Sequence, residues 1–185
     1  MECTEVIFNR YSCREYLDKM IDEDILSKIL EAGRQAPSAQ NKQPWRYLLI
    51  QDKDIIKKIA FHSVVGAVNF FIGKAPLVVI ACADTRKALK FNQQDYYLVD
   101  VAISFHQMML TAWDFGIGSC WLAAFNEKAL KEMLEIPDYV RIVGMSPFGY
   151  PKDKKTFYSK AVSFFAQSKK RHDLSEICCF NKWTL

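Results

Sequence analysis

The sequence predicts a single α+β domain, on three observations. Helix-period and strand-like segments alternate along the chain, without a Gly/Ser linker, an internal repeat or a low-complexity tract. One run, Leu77-Val78-Val79-Ile80-Ala81-Cys82, is continuously apolar and rich in β-branched residues, as in a strand buried on both faces. The 185 residues, half of them apolar and a quarter charged, suit one domain with an ordinary core, spanning residues 1–185.

The elements follow in order. A first helix is expected over residues 3–10, with Thr4 as its N-cap and Val6 and Ile7 on its apolar side. Asp22-Glu23-Asp24 opens a second, because acidic residues suit the positive helix N-terminus. Ile21, Ile25, Leu26, Ile29 and Leu30 carry its helical period, and Gly33 and Pro37 bound its end. Trp45 to Gln51 reads as a strand, Asp52 to Ala60 as a helix, and residues 62–74 as a further helical piece. After the central strand a long helix is expected from about Gln94 to Phe115. Its apolar and small residues occupy nearly every side, which places it in the interior. Gly116-Ile117-Gly118 ends it. Residues 119–124 read as a short strand, and Asn126 caps a helix that runs to Leu134 before Pro137. Tyr139 to Tyr150 reads as a last strand, interrupted near Pro147.

Composition removes several classes of function. A net charge of +4 suits anionic ligands but does not argue for nucleic acid. The short run Lys169-Lys170-Arg171 by itself reads as a solvated loop. The six cysteines include no CxxC pair, so neither a zinc nor an iron–sulfur pattern is present. No apolar stretch approaches the ~20 residues of a membrane span, and Met1-Glu2-Cys3-Thr4-Glu5 does not resemble a secretory leader. A reducing, cytoplasmic setting with free thiols is expected.

Familiar catalytic templates are missing: there is no GxGxxG in a βαβ unit, no GxxxxGK[ST] loop and no HExxH. Of His62, His106 and His172, only His106 lies in a strongly apolar helix, where a core role is the simpler expectation. A chain without an acid/base set is suited to a bound redox cofactor, which leaves the protein to bind and orient it. Two segments fit that task. Arg10-Tyr11-Ser12-Cys13-Arg14 concentrates phosphate-matching donors. Pro37-Ser38-Ala39-Gln40-Asn41-Lys42-Gln43-Pro44-Trp45 packs amides and a hydroxyl between prolines, after a helix and before a strand. Each alone also reads as an ordinary turn.

Taken together, these segments resemble the nitroreductase family of flavoproteins. Arg10-Tyr11-Ser12-Cys13-Arg14 is similar to its Arg-Arg-Ser-x-Arg element, and Ala36 to Trp45 to its Ala-Pro-Ser-x-x-Asn-x-Gln-Pro-Trp element. Lys74 to Ile80 resembles its central strand, Gly116 to Leu122 its Gly-Leu-Gly-x-Cys-Trp segment, and Phe148 to Pro151 its Gly-Tyr-Pro turn. The resemblance implies a central mixed, mainly antiparallel sheet flanked by helices, in a homodimer whose subunits exchange terminal extensions and bind FMN at their interface. It implies that Arg10, Tyr11, Ser12 and Arg14 hold the FMN phosphate and ribityl chain. Lys169 and Arg171 are implied to return to the same phosphate, in place of the solvated-loop reading. Pro37, Ser38 and Asn41 would approach the ring from the other subunit, with Asn69 against it and Cys120, Trp121 and Leu122 along it.

The implied activity is transfer of reducing equivalents from NADH or NADPH, through flavin N5, to a small acceptor such as a nitroaromatic or quinone. No side chain is implied to be catalytic, no metal is implied, and neither nucleic acid nor membrane is a partner. Flavin storage with little turnover, and dehalogenating or flavin-consuming chemistry, stand as alternatives. Two departures are visible. Tyr11 replaces a basic residue, and residues 152–168 form an aromatic stretch in which Phe157, Tyr158, Phe164 and Phe165 are expected to roof the site or seal the dimer.

Overall fold

Strand β2 (Leu77–Asp84) is buried along its whole length, and its alternating side chains feed two cores. The computed structural model describes residues 1–62, 67–152 and 171–184. Val78, Ile80 and Cys82 point to one face, with Ile56, Ile59 and Phe71. Leu77, Val79, Ala81 and Ala83 point to the other, with Ile29, Val101, Phe105 and Met108. A strand buried on both faces needs no polar alternation, and this is why the run could be read directly.

Around β2 the sheet is antiparallel, in the order β1 (Trp45–Ile50), β2, β6 (Val140–Gly149), β5 (Gly118–Ser119). A parallel bridge between Ser12 and Ser119 adds the chain's early segment to its edge and makes the sheet mixed. One face carries α3 (Lys53–His62), the 3-10 turn Ala67–Lys74 and α5 (Glu127–Leu134); the other carries α2 (Glu23–Arg34) and α4 (Tyr96–Asp114). Helix α1 (Cys3–Asn9) lies against α4. A short α6 (Leu174–Ile177) ends the described chain.

Several expectations need correction. Thr4 does not cap α1; Glu2 does, in a reciprocal capping box with Glu5. The long helix begins at Tyr96, because Lys90–Phe91 (β3) and Gln94–Asp95 (β4) first form a small hairpin across Asn92 and Gln93, both at positive φ. The expected strand over 119–124 shortens to Gly118–Ser119, with an isolated bridge at Leu122. Pro147 does not interrupt β6. It pairs in register with Val78, and the residue that would oppose it on the other side, Cys120, lies beyond the end of β5. Asn126 caps α5 as expected, accepting from the Ala129 N–H at 3.0 Å.

Helix α4 is not interior on all sides. Tyr97, Val101, Phe105, Met108 and Ala112 bury one face on the sheet, whereas Leu98, Val99 and Ile103 stay exposed. His106 also lies on this open side and is not a core histidine. The sheet and α2 pack on α4, and the described residues leave Leu98, Val99 and Ile103 uncovered. No helix among the described residues is long and apolar enough to cross a membrane.

Candidate functional site

After α1 the chain becomes extended and is stitched into the edge of the sheet. Cys13 donates its N–H to the Ser119 carbonyl at 2.9 Å, beside the Ser12–Ser119 bridge. Further on, Leu17 donates to the Tyr150 carbonyl at 2.8 Å and Lys152 to the Glu15 carbonyl at 3.1 Å. The 10–14 segment, the Gly118-containing turn and the Tyr150-Pro151 turn, distant in sequence, thus form one backbone assembly. Gly118 makes it possible: a Cβ there would sit 2.7 Å from Cys13 Cβ and 3.0 Å from Pro151 Cγ.

An extended segment sends alternate side chains to opposite sides. Tyr11 and Cys13 take one side. The Tyr11 ring packs edge-on against Trp113, with centroids 5.1 Å apart, and the buried Cys13 thiol donates to the Glu15 carbonyl at 3.3 Å. Arg14 donates from Nη1 to the Ser12 carbonyl at 3.2 Å, and Arg10, Ser12 and Arg14 all act on the Cys120 thiol. Burial pushes the Cys120 thiol up, while Arg14, a hydrogen bond with Ser12, and Arg10 pull it back down. Among the described residues neither Arg10 nor Arg14 has a carboxylate partner, whereas Arg34, Arg86 and Arg141 each have one. Beside them the Ser119 hydroxyl is buried and unpaired. Tyr11, expected at the phosphate, packs its ring on Trp113.

The cluster continues toward Asn69. The Arg14 guanidinium lies 5.9 Å from the centre of the Phe71 ring. Two residues earlier, buried Asn69 donates from Nδ2 to the Ala124 carbonyl at 3.3 Å. The 120–122 stretch spans the gap between them. Cys120 donates its N–H to Ser146 Oγ at 3.0 Å, and Leu122 exchanges two backbone bonds with Met145. The backbone groups of Leu122 are thus spent on β6. Trp121 packs on Phe105, at 5.2 Å between centroids, and over Gly144.

The second polar segment is held elsewhere. Pro37 and Ser38 lead into a turn, Ala39–Asn41, in which Gln40, Asn41 and Gln43 have φ of 49°, 52° and 47°. Ser38 Oγ accepts from the Gln43 N–H at 3.0 Å, and Gln43 Nε2 donates to Asn41 Oδ1 at 2.9 Å. The turn is fastened to α4 by Asp100, whereas the 10–14 segment meets α4 at Trp113. Thirteen residues of helix (113 − 100) separate these contacts, about 20 Å at the usual rise. Within one chain, then, the two polar segments are presented from different parts of α4.

Arg171 is exposed, just ahead of α6, in a stretch where Leu174, Ile177, Phe180 and Trp183 are exposed as well. Lys169 lies outside the described residues, as do Phe157, Tyr158, Phe164 and Phe165. Sequence reasoning missed Asp100, Phe71, Ser119 and Ser146. Asp100 carried a readable signal, as an acid within a mostly apolar helix.

Residues 7–69 and 62–150 match the sequence pattern described as the nitroreductase family. The chain belongs to the nitroreductase family. It is 34% identical over 161 residues to a putative NADH dehydrogenase/NAD(P)H nitroreductase of Archaeoglobus fulgidus, covering 85% of this chain and 90% of that protein. It is 28% identical over 171 residues to an FMN reductase [NAD(P)H] of Bacillus subtilis, covering 83% and 67%. The crystal structure of a nitroreductase family protein from Clostridium novyi superposes with a TM-score of 0.79 at 35% identity, covering 84% of this chain and 89% of that one. These matches make the five ordered motifs marks of a nitroreductase, and the α+β architecture a nitroreductase fold.

Proposed function

We propose that this nitroreductase is an FMN-dependent NAD(P)H oxidoreductase that acts on a small acceptor and works as a homodimer. The observation that carries this reading is the segment Arg10-Tyr11-Ser12-Cys13-Arg14 fastened to the sheet edge at Ser119, with Arg14 donating to the Ser12 carbonyl and, among the described residues, neither guanidinium paired with a carboxylate. That donor set fits a phosphate monoester, since Arg forks match phosphate oxygens and unneutralised cations favour a dianion. The buried, unpaired Ser119 hydroxyl adds an orphan donor at the same place. The names of the relatives, an NAD(P)H nitroreductase and an FMN reductase, point to the same chemistry.

When bound, FMN supplies that chemistry, taking reducing equivalents from NADH or NADPH at N5 and yielding them in turn to an acceptor such as a nitroaromatic or quinone. The chain's own residues bind and orient. Arg10, Ser12 and Arg14 hold the phosphate end, with Tyr11 packed behind them and Lys169 and Arg171 returning toward it. Asn69, Cys120, Trp121 and Leu122 border the ring. Pro37, Ser38 and Asn41 reach it from the other subunit. Dimerisation is supported by the apolar surface that the described residues leave open, from Ile7 and Phe8 on α1 and Leu98, Val99 and Ile103 on α4 to the C-terminal Leu174, Ile177, Phe180 and Trp183.

The test is an anaerobic titration of the FMN-loaded protein. NADH or NADPH is expected to bleach the flavin absorbance, and a nitroaromatic or quinone to restore it. A flavin left oxidised by both nicotinamides would sink the reading, and a flavin that bleaches but passes nothing on would favour storage.

A further inference from the structure

Asp100 is 2% exposed on the buried face of α4, and the one hydrogen bond it makes among the described residues accepts the Ala39 N–H at Oδ1, at 2.9 Å. Its other oxygen is buried without a partner. A carboxylate kept in this state is costly, and an apolar residue would suit the helix better. What the carboxylate secures is the 37–43 loop. Gln40, Asn41 and Gln43 all hold left-handed backbone, which residues with side chains rarely adopt without outside support. The bonds from Gln43 to Ser38 and Asn41 close the loop on itself. The Ala39–Asp100 bond fastens the start of the turn to the helix under it.

We propose that Asp100 is a positioning residue, whose carboxylate holds the 37–43 loop in the conformation that presents Ser38 and Asn41 to the flavin across the dimer. The loop's role rests on the FMN reading above; the anchor itself does not. Ala39→Pro is the cleanest probe, because it deletes the donor and leaves Asp100 in place. Ala39 opens a helical turn and Ser38 is extended, at φ −142° and ψ 157°, so both accept a proline at 39.

In the FMN-loaded protein, Ala39→Pro and Asp100→Ala are each expected to slow flavin reduction by NAD(P)H about tenfold or more, the scale of one lost charge-assisted hydrogen bond. The visible circular dichroism of the bound flavin changes with it, while KM for the nicotinamide stays close to wild type. The double variant is no worse than either single one, and Asp100→Asn, which keeps an acceptor, recovers most of the loss. Wild-type kcat and dichroism in Ala39→Pro would overturn the proposal; so would additive losses, or Asp100→Asn as impaired as Asp100→Ala. If Asp100→Ala fails to fold, Ala39→Pro and Asp100→Asn still decide it. Hydrogen exchange reads the anchor without flavin. The Ala39 amide is expected to be protected in the wild type, and fast exchange there would overturn the anchor. A wild-type chain with a protected Ala39 amide that binds no FMN refutes the flavin reading, and with it the loop's role, but not the anchor.

Discussion

The 10–17 segment and the 37–43 loop are both polar, both follow a helix and both belong to the proposed FMN site, yet they are held by different means. The first is fixed by backbone: Cys13 to Ser119, Leu17 to Tyr150 and Lys152 to Glu15 make it an irregular extra strand. That pairing keeps Arg10, Ser12 and Arg14 together at the sheet edge. The second has only local backbone bonds, Asn41 to Ser38 and Lys42 to Ala39, and is otherwise fixed by side chains: Ser38, Asn41 and Gln43 within it, and Asp100 beneath it. Sheet pairing suits a phosphate anchor, where several charges must stay aligned. Side-chain pinning lets the other loop hold left-handed residues that no ladder would accept. One half-site is therefore rigid by topology, and the other only as rigid as a few named bonds.

The largest effect should come from parting the halves. If the loop serves the partner's flavin, a charge in the middle of the open α4 face breaks the site without touching either segment. Ile103→Asp is expected to yield a monomer by sedimentation equilibrium, with FMN lost on gel filtration and the fold intact by circular dichroism. A dimeric Ile103→Asp that keeps its flavin would place both halves in one subunit and undo the comparison. A smaller effect is expected within the rigid half. Arg14→Ala removes charge-assisted bonds worth about 1.5–3 kcal/mol, so FMN affinity should drop about 10- to 100-fold. Riboflavin, which lacks the phosphate, should bind the variant and the wild type alike, and flavin fluorescence quenching reads both. Equal losses for FMN and riboflavin would move Arg14 from the phosphate to the ring.

What could be read from the sequence divides along the same line. The Arg10–Arg14 element, the Gly118 turn and the Tyr150-Pro151 turn were legible because close backbone approach restricts residue types, as the Gly118–Cys13 contact shows. The run from Leu77 to Cys82 was legible because a strand buried on both faces leaves no polar residue in its pattern. The role of Asp100 was not, since its bond to Ala39 spans 61 residues and depends on how α4 lies against the sheet. Helix α4 was misplaced for a related reason. Leu98, Val99 and Ile103 are as apolar as Val101 and Phe105, and hydropathy alone does not say whether an apolar face meets its own sheet or another subunit. The hairpin at 90–95 escaped because two-residue strands carry no period to detect.

The smallest effect tests whether the frame around the pinned loop is also made of side-chain bonds. Tyr47 on β1 donates to Ser104 Oγ on α4, and Ser104 donates to the Gly33 carbonyl on α2. These three elements enclose the loop's two ends. Tyr47→Phe breaks the first link, at about 1 kcal/mol, and leaves Ser104 its bond to Gly33. Burial pushes the Tyr47 hydroxyl up from 10.0 to about 12, outweighing the opposite pull of Ser104. The neutral phenol is thus favoured in the folded chain. Its contribution is complete below pH 10, where the unfolded tyrosine is also neutral, and it fades as pH rises toward 12. Wild-type stability in denaturant should accordingly fall more steeply than that of Tyr47→Phe between pH 10 and 12. Parallel curves over that range would mean that the hydroxyl is effectively solvated and the frame is held by packing alone. The contrast between the two segments would then rest on the loop's own bonds at Ser38, Asn41 and Gln43 and the bond from Asp100 to Ala39.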